Sequence, residues 1–406
     1  MGWHYGPRSL QLPAMSTDGK SSGKTADWKG IQRGHRKAPG EWLAEKAIFL
    51  VSLSAIVLVF LIFAFVLRES LPIFLGQMDS SVEQKVIAPE DMGTLTKPQL
   101  RHYLDLTGEE FADMADETLK LMMEIKVEAA AEAPEDKDSK VNTTDWKMMT
   151  KPHQWSNYDK PEYIWQPVSE IHKYNIIPLL IGSLKATLVA MLFAGPLSLF
   201  AAIYVSQLAS VKHREWLKPA IEMLAGIPSV VLGFFALIVM ATFLQKAFGY
   251  QSRLNAFVAG IALGLAIIPV VFSIAEDALT SVPRSYTQAA LALGSSKWQA
   301  AWQVVLPAAL PGVFAAMVLG FGRAIGETMI VLMASGNASI MGWDVFDSTR
   351  TITATIAAEL AEAVFGGHHY RILFMLGTLL FAVTFLINLV ADLVIHRLKG
   401  RLEGKV

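Results

Sequence analysis

The sequence predicts an all-α integral membrane protein with six transmembrane helices and an extracytoplasmic insertion between the first and the second. Composition, the lengths of the apolar runs and the placement of the cations each lead there. The 406 residues are 53% hydrophobic and 17% charged, against about a quarter charged in a typical soluble domain. The first long apolar run, Ala47 to Leu67, would rise roughly 30 Å as a helix at about 1.5 Å per residue, enough for the hydrocarbon core. A signal peptide is the competing reading. It is disfavoured because 46 residues precede the run, the run exceeds a typical h-region and no small-residue cleavage site follows it.

Further apolar segments lie at Ile176 to Ser206, Ile221 to Leu244, Ala256 to Ile274, Pro307 to Ala334 and Ile372 to Ile395. Orientation follows from lysine and arginine, which keep short loops in the cytoplasm. Arg8, Lys20, Lys24, Lys29, Arg33, Arg36, Lys37 and Lys46 precede the first run, and Arg397, Lys399, Arg401 and Lys405 follow the last. Both termini are therefore expected inside, as an even number of spans requires, together with the loop holding Lys212, Arg214 and Lys218. The expected organisation is a disordered tail at 1–42, a first helix at 43–67, an insertion at 68–175, a core at 176–396 with a cytoplasmic loop at 276–306, and a basic tail at 397–406. The insertion carries 21 acidic and 12 basic residues, a net of −9, opposite in sign to the tails.

Within the insertion, Phe111, Met114, Leu121, Met122 and Ile125 fall near helical spacing, so Glu109 to Ala131 reads as an amphipathic helix. Pro134 to Ser139 reads as a linker, and Trp146, Trp155, Tyr158, Tyr163 and Trp165 supply aromatic anchors. Asn142-Thr143-Thr144 matches a glycosylation sequon, which on its own is a weak signal. Gly19, Gly23, Lys24 and Thr25 imitate a phosphate-binding loop, but the glycine spacing is one residue short and no strand precedes it. No nucleotide cofactor is expected in this chain. The net charge of −1 suggests no nucleic-acid partner, and the absence of cysteine removes disulfides, thiolate metal sites and cysteine nucleophiles. His368 and His369 lack companion ligands, so no metal is expected. With no HExxH and no paired aspartates in the spans, no catalytic residue is assigned.

The segment Pro283 to Pro307 reads as helix, turn, helix. Ala289 to Leu293 are strong helix formers, Gly294 can take the positive φ that ends a helix, and Ser295 or Ser296 can cap the next. In the fifth run stands Gly322-Arg323-Ala324-Ile325-Gly326-Glu327-Thr328-Met329. Charges there cost on the order of 3 kcal/mol each at a helix centre and default to a functional reading. Arg323 and Glu327 are four apart, so on a continuous helix they share a face and can pair. Pairing alone would account for both. The functional alternative is that Arg323 presents a cation to an anion crossing the membrane, with Glu327 orienting or releasing it, and with Thr328 beside them. A guanidinium suits an oxyanion because its planar fork meets two oxygens at once. Gly195-Pro196, Pro228, Pro269 and Pro311 are expected to kink or loosen spans, and Lys185 is expected to snorkel from the second.

Gln288-Ala289-Ala290, Gly294, Val304, Leu306 and Pro307 resemble, in spacing throughout, the coupling-loop signature of binding-protein-dependent ABC importers. Gln288 stands where the pattern has glutamate and Val304 where it has isoleucine; glutamine keeps hydrogen-bonding capacity and loses the charge. Gly322 to Met329 with Ile330 to Ala338, Arg68 to Pro72 and Ile227 to Val231 resemble phosphate-importer permeases, nearer to PstC than to PstA. The resemblance covers roughly Leu43 to Ile73 and Ile176 to the C-terminus. It implies the ABC importer permease fold and a non-catalytic subunit in a bacterial inner membrane. Its implied partners are a second homologous permease, two copies of an ATP-binding subunit that hold ATP and Mg, and a periplasmic phosphate-binding protein. Pro283, Gln288, Ala289, Ala290, Gly294, Val304, Leu306 and Pro307 would then couple to the ATPase, and Arg323, Glu327 and Thr328 would line the substrate pathway. Another oxyanion such as sulfate or molybdate, or a secondary transporter or channel, remains the alternative.

Overall fold

The computed structural model describes residues 39–78, 100, 104, 115–132, 138, 141–156, 158–169 and 171–402. Residues 1–38 of the expected tail, the Gly19–Thr25 imitation, Phe111 and Met114 lie outside the described residues. Two compact units divide the chain, Met1–Phe60 and Leu61–Val406. In the first, residues 39–60 are helical; all that follows concerns the second unless stated.

Among the described residues, six helices are long and apolar enough to cross a membrane: Glu45–Phe74, Ile177–Leu208, Ser229–Phe248, Ala256–Thr280, Lys297–Gly326 and His368–Arg397. We refer to them as the first to sixth spans. Their number matches the six apolar runs; several ends do not. The first helix is Pro39–Phe74, so residues 39–42 are helical rather than tail, and the helix runs past Leu67. Nothing in Arg68-Glu69-Ser70-Leu71 stops a helix, and the chain leaves it only near Gly76, whose φ is +63°. The last helix likewise extends over His368–Leu402, taking in most of the expected tail.

The third span starts later than its apolar run. Val211–Met223 is a separate helix capped by Ser210, whose Oγ accepts from His213 N at 3.4 Å, and a short 3₁₀ turn follows at Leu224–Gly226. Ile227, preceding Pro228, is pushed to an extended conformation with ψ 122°, and the span begins at Ser229. The fifth span also departs from expectation, stopping at Gly326. Glu327 is extended with ψ 138°, and helix resumes over Met329–Ala334. The expected loop at 276–306 shrinks to residues 281–296, because residues 276–280 complete the fourth span and the fifth begins at Lys297.

The fourth span is the centre of the bundle, and small residues let the second approach it. A Cβ at Gly260 would lie 2.5 Å from Val189 Cβ and 3.0 Å from Ala186 O, and one at Gly264 would lie 2.7 Å from Phe193 Cδ1. Further along, Ser198 Oγ donates to Ile268 O at 3.2 Å and Gln207 Nε2 to Leu279 O at 3.3 Å. Numbers rise together in both helices, so the two spans are parallel. The start of the second, where the insertion joins it, therefore lies at the opposite end of the bundle from residues 281–296.

Little of the insertion is regular. The helix Asp116–Glu132 buries Leu119 and Met123, one turn apart, while Leu121, Met122 and Ile125 are exposed. The predicted helix is there with a different apolar stripe inward. Two short antiparallel strands, β1 Trp165–Gln166 and β2 Lys173–Tyr174, pair Trp165 with Tyr174. Both aromatics are buried with Met149, Ile176, Leu179 and Ile372, closing that end of the bundle.

Gly260→Val adds a branched side chain where only hydrogen fits, and overpacking of this kind costs about 1–3 kcal/mol. A lowered melting temperature of the detergent-purified protein is expected; an unchanged one would contradict the close packing of the second and fourth spans.

Candidate functional site

The hairpin at residues 281–296 is built by local chemistry. Its first helix, Arg284–Ala292, follows Pro283, and Gly294 sits at φ +89°. Ser295 N donates to Ala290 O at 3.1 Å and Gly294 N to Leu291 O at 3.0 Å, the paired bonds of a Schellman stop. That bonding fixes the interval between Ala290 and Gly294. Ser296 then opens the next helix with a complete capping box: its Oγ accepts from Gln299 N at 3.2 Å and its N–H donates to Gln299 Oε1 at 2.8 Å. Ala290, Ala300, Ala301 and Val305 are buried, anchoring the hairpin on the bundle. Pro283, Gln288, Ala289, Gly294 and Pro307 are exposed, while Val304 and Leu306 are half-buried. Beside them Tyr286, Leu291 and Trp298 are exposed, and Leu293 is 89% so. The structure thus brings the expected coupling residues together as a rigid projection with an apolar tip.

Arg323 and Glu327 do not pair. The helix ends between them, and Glu327 turns back on the chain that follows: its Oε1 accepts from Thr328 N at 3.1 Å and Met329 N at 3.3 Å. Its main-chain carbonyl accepts from Thr353 Oγ1 at 2.8 Å. Glu327 therefore restarts helix Met329–Ala334 by satisfying donors that the break leaves open. Thr328 Oγ1 reaches Gly326 O at 3.5 Å. A small cavity here is lined by Glu327 with Ser183, Thr187, Thr351 and Thr353. Arg323, freed from its expected partner, is exposed and has no hydrogen bond or ion pair among the described residues.

Two further carboxylates were not assigned from the sequence, and Lys185 stands otherwise than expected. Glu276, in the fourth span, is 0% exposed, and its carboxylate meets Arg214 Nη2 at 2.6 Å and Lys218 Nζ at 2.7 Å. The hydrogen bond to Glu276 holds the Lys218 amine above its ordinary value. Lys185 does not snorkel; it is 4% exposed and its Nζ donates to Asp344 O at 3.1 Å. The loop after the break folds over the start of the fourth span, with Phe257 N donating to Val345 O at 2.8 Å, and this covers the lysine. At the same end Glu359 joins Arg350 Nη2 at 2.7 Å and accepts from Trp165 Nε1 at 3.2 Å on each oxygen. His369 Nε2 stands 3.4 Å from it and stacks on Tyr174. Of the two carboxylates, a signal existed for Glu276 alone, an acidic pair at the end of an apolar run following the basic Lys212–Lys218 loop.

The fold and the site together define a polytopic membrane permease: among the described residues, six helices long and apolar enough to span, a helical hairpin presented at one end, and a guanidinium without a partner beside a helix break. The chain belongs to the family of binding-protein-dependent transport system inner membrane components, whose model matches residues 176–403. It is 35% identical over 223 residues to the probable ABC transporter permease protein YqgH of Bacillus subtilis (strain 168), covering 55% of this chain and 72% of that one. It is 33% identical over 260 residues to the phosphate transport system permease protein PstC of Pasteurella multocida (strain Pm70), covering 59% and 80%. Among solved structures, the inward-facing MetNI methionine ABC transporter aligns with a TM-score of 0.42 at 18% identity over 55% of this chain and 94% of that one.

Burial raises the Glu359 carboxyl above its ordinary value, against the opposing pull of Arg350 and the Trp165 N–H. A carboxyl raised by folding contributes stability that is fully present below its ordinary value and is lost as pH rises through the raised one. The excess in melting temperature of the wild type over Glu359→Gln should therefore shrink as pH rises from about 4. A pH-independent difference would show that the seam does not titrate this way.

Proposed function

We propose that this chain is the permease subunit of an ATP-driven phosphate import system, forming the translocation pathway with a second homologous permease. In this reading two copies of an ATP-binding subunit grip the hairpin, supplying ATP, Mg and the hydrolytic chemistry, and the chain itself catalyses nothing. A periplasmic binding protein delivers the anion to the end carrying the insertion. The lysine and arginine distribution supports placing both termini and the hairpin on the cytoplasmic side of a bacterial inner membrane.

The observation that carries the proposal is the state of Arg323. A guanidinium in a membrane helix is too costly to leave facing lipid, yet this one is exposed and has no partner among the described residues. It therefore faces either the second permease or a wet path between the two, and a helix break beside it is where non-helical backbone lines such a path. Its planar fork suits a tetrahedral oxyanion, and the relatives named as phosphate permeases favour phosphate over sulfate or molybdate. Glu327 serves the path indirectly, by fixing the break that leaves Arg323 free.

Losing a charge-assisted contact of about 1.5–3 kcal/mol predicts that Arg323→Ala lowers ATP-dependent phosphate uptake by about 10- to 100-fold in reconstituted vesicles, with the complex still assembled. Full uptake by that variant would remove the assigned role, and equal inhibition of wild-type uptake by excess sulfate would move the cargo to oxyanions in general. Leu293→Asp should detach the ATP-binding subunits in a pull-down while the permease stays folded; retention would place the docking surface elsewhere.

A further inference from the structure

Among the buried charges, one cluster lies between the hairpin and the helix break and has no part in either. Glu276 is fully buried, and a carboxylate is taken out of water only where cations and donors replace its solvation. Its two oxygens are divided. Oε1 receives Arg214 Nη2 at 2.6 Å and Thr280 Oγ1 at 3.0 Å, and Oε2 receives Lys218 Nζ at 2.7 Å. Arg214 and Lys218 are one turn apart on helix Val211–Met223, so two cations grip one carboxylate from the same helix face. Lys218 Nζ also reaches Asp277 Oδ1 at 3.5 Å.

The position of this clamp in the chain gives it a direction. Seven residues after Glu276 the fourth span has passed through Ser281 and Val282 to Pro283 and the first hairpin helix. On the other side, helix Val211–Met223 continues through the turn at Leu224–Gly226 into the third span. The third span lies directly against the segment beyond the break: a Cβ at Gly233 would stand 2.7 Å from Met333 Sδ and 3.2 Å from Met329 O. Met329 N is one of the two donors that hold the Glu327 carboxylate. A displacement of the hairpin thus has a stiff route to the site beside Arg323.

We infer that Glu276 is a positioning residue for coupling: clamped by Arg214 and Lys218, it transmits movement of the hairpin through helix Val211–Met223 and the third span to the helix break beside Arg323. This rests on the permease reading above. The two are separated by measuring, in vesicles containing the full complex and the binding protein, both ATP hydrolysis and labelled phosphate uptake. In Glu276→Gln the complex should assemble and hydrolyse ATP while phosphate moved per ATP falls at least tenfold. The chain has no cysteine, so Lys218→Cys with Asp277→Cys allows a covalent bridge by a short bifunctional maleimide. Bridging in the Glu276→Gln background should restore phosphate moved per ATP; a bridged variant that still hydrolyses ATP without moving phosphate would count against the inference.

An unchanged ratio in Glu276→Gln, or hydrolysis and uptake falling in proportion with the complex intact, would overturn the inference. Should Glu276→Gln fail to assemble, Arg214→Leu, Lys218→Met and Glu276→Leu together strand no charge and carry the same expectation of a lowered ratio. A wild-type complex showing no ATP-driven uptake would remove the permease reading and this inference with it. A transporting wild type with an unaltered ratio in the variants removes the inference alone.

Discussion

The structure depends on how closely the second and fourth spans approach. In lipid, helices gain little from hiding apolar surface from one another and associate through close packing and polar contacts. Gly260 and Gly264 supply the closeness, admitting Val189 and Phe193 at distances that no Cβ would allow. Alanines at 186, 190 and 194 on the second span and 259, 262 and 266 on the fourth continue the seam as one buried cluster. The fifth span joins the same core antiparallel, with Gly320 against Val271 and Gly312 against Ala278. Because that core fixes the fourth span, whatever extends from its far end is held at a defined place. The hairpin is the direct beneficiary.

Charge is handled differently at each level of the bundle. At the hairpin end Glu276 is surrounded by two cations and a hydroxyl; at the insertion end Glu359 is met by Arg350 and the Trp165 indole. Both satisfy the rule that a buried charge needs partners, since removing one partner leaves an uncompensated ion in a low dielectric. Arg323 is the contrast. Its neighbour Glu327 spends one carboxylate oxygen on backbone donors of the next turn, and the guanidinium is left without a counter-ion among the described residues. Among the described residues, the buried carboxylates Glu276 and Glu359 are neutralised internally, while the guanidinium beside the helix break is left exposed.

How much of this the sequence discloses depends on the range of the interactions that decide it. The hairpin was legible because its determinants are local: Gly294 with its positive φ and Ser296 with Gln299 act within a few residues. The helix break was not legible. Continuous helix from Pro307 to Ala334 is what local propensity dictates, and the departure at Glu327 is held by Thr353, twenty-six residues away. Lys185 was misread for the same reason, since the carbonyl of Asp344 that receives it belongs to a distant loop. In the third span the error was one of weighting. The apolar Ile221, Met223 and Leu224 suggested an early start, while the backbone restriction at Ile227-Pro228 decided it.

The same division explains why the Arg323–Glu327 spacing misled. An interval of four implies a shared face only while the helix continues, and Gly326 followed by an extended residue breaks that premise. A carboxylate at this position acts where the chain restarts, by accepting hydrogen bonds from the N–H groups that a new helix turn leaves unmet. A bundle arranged this way keeps the cation and the carboxylate in separate roles: one is available to a passing anion, and the other maintains the irregular backbone that makes it available.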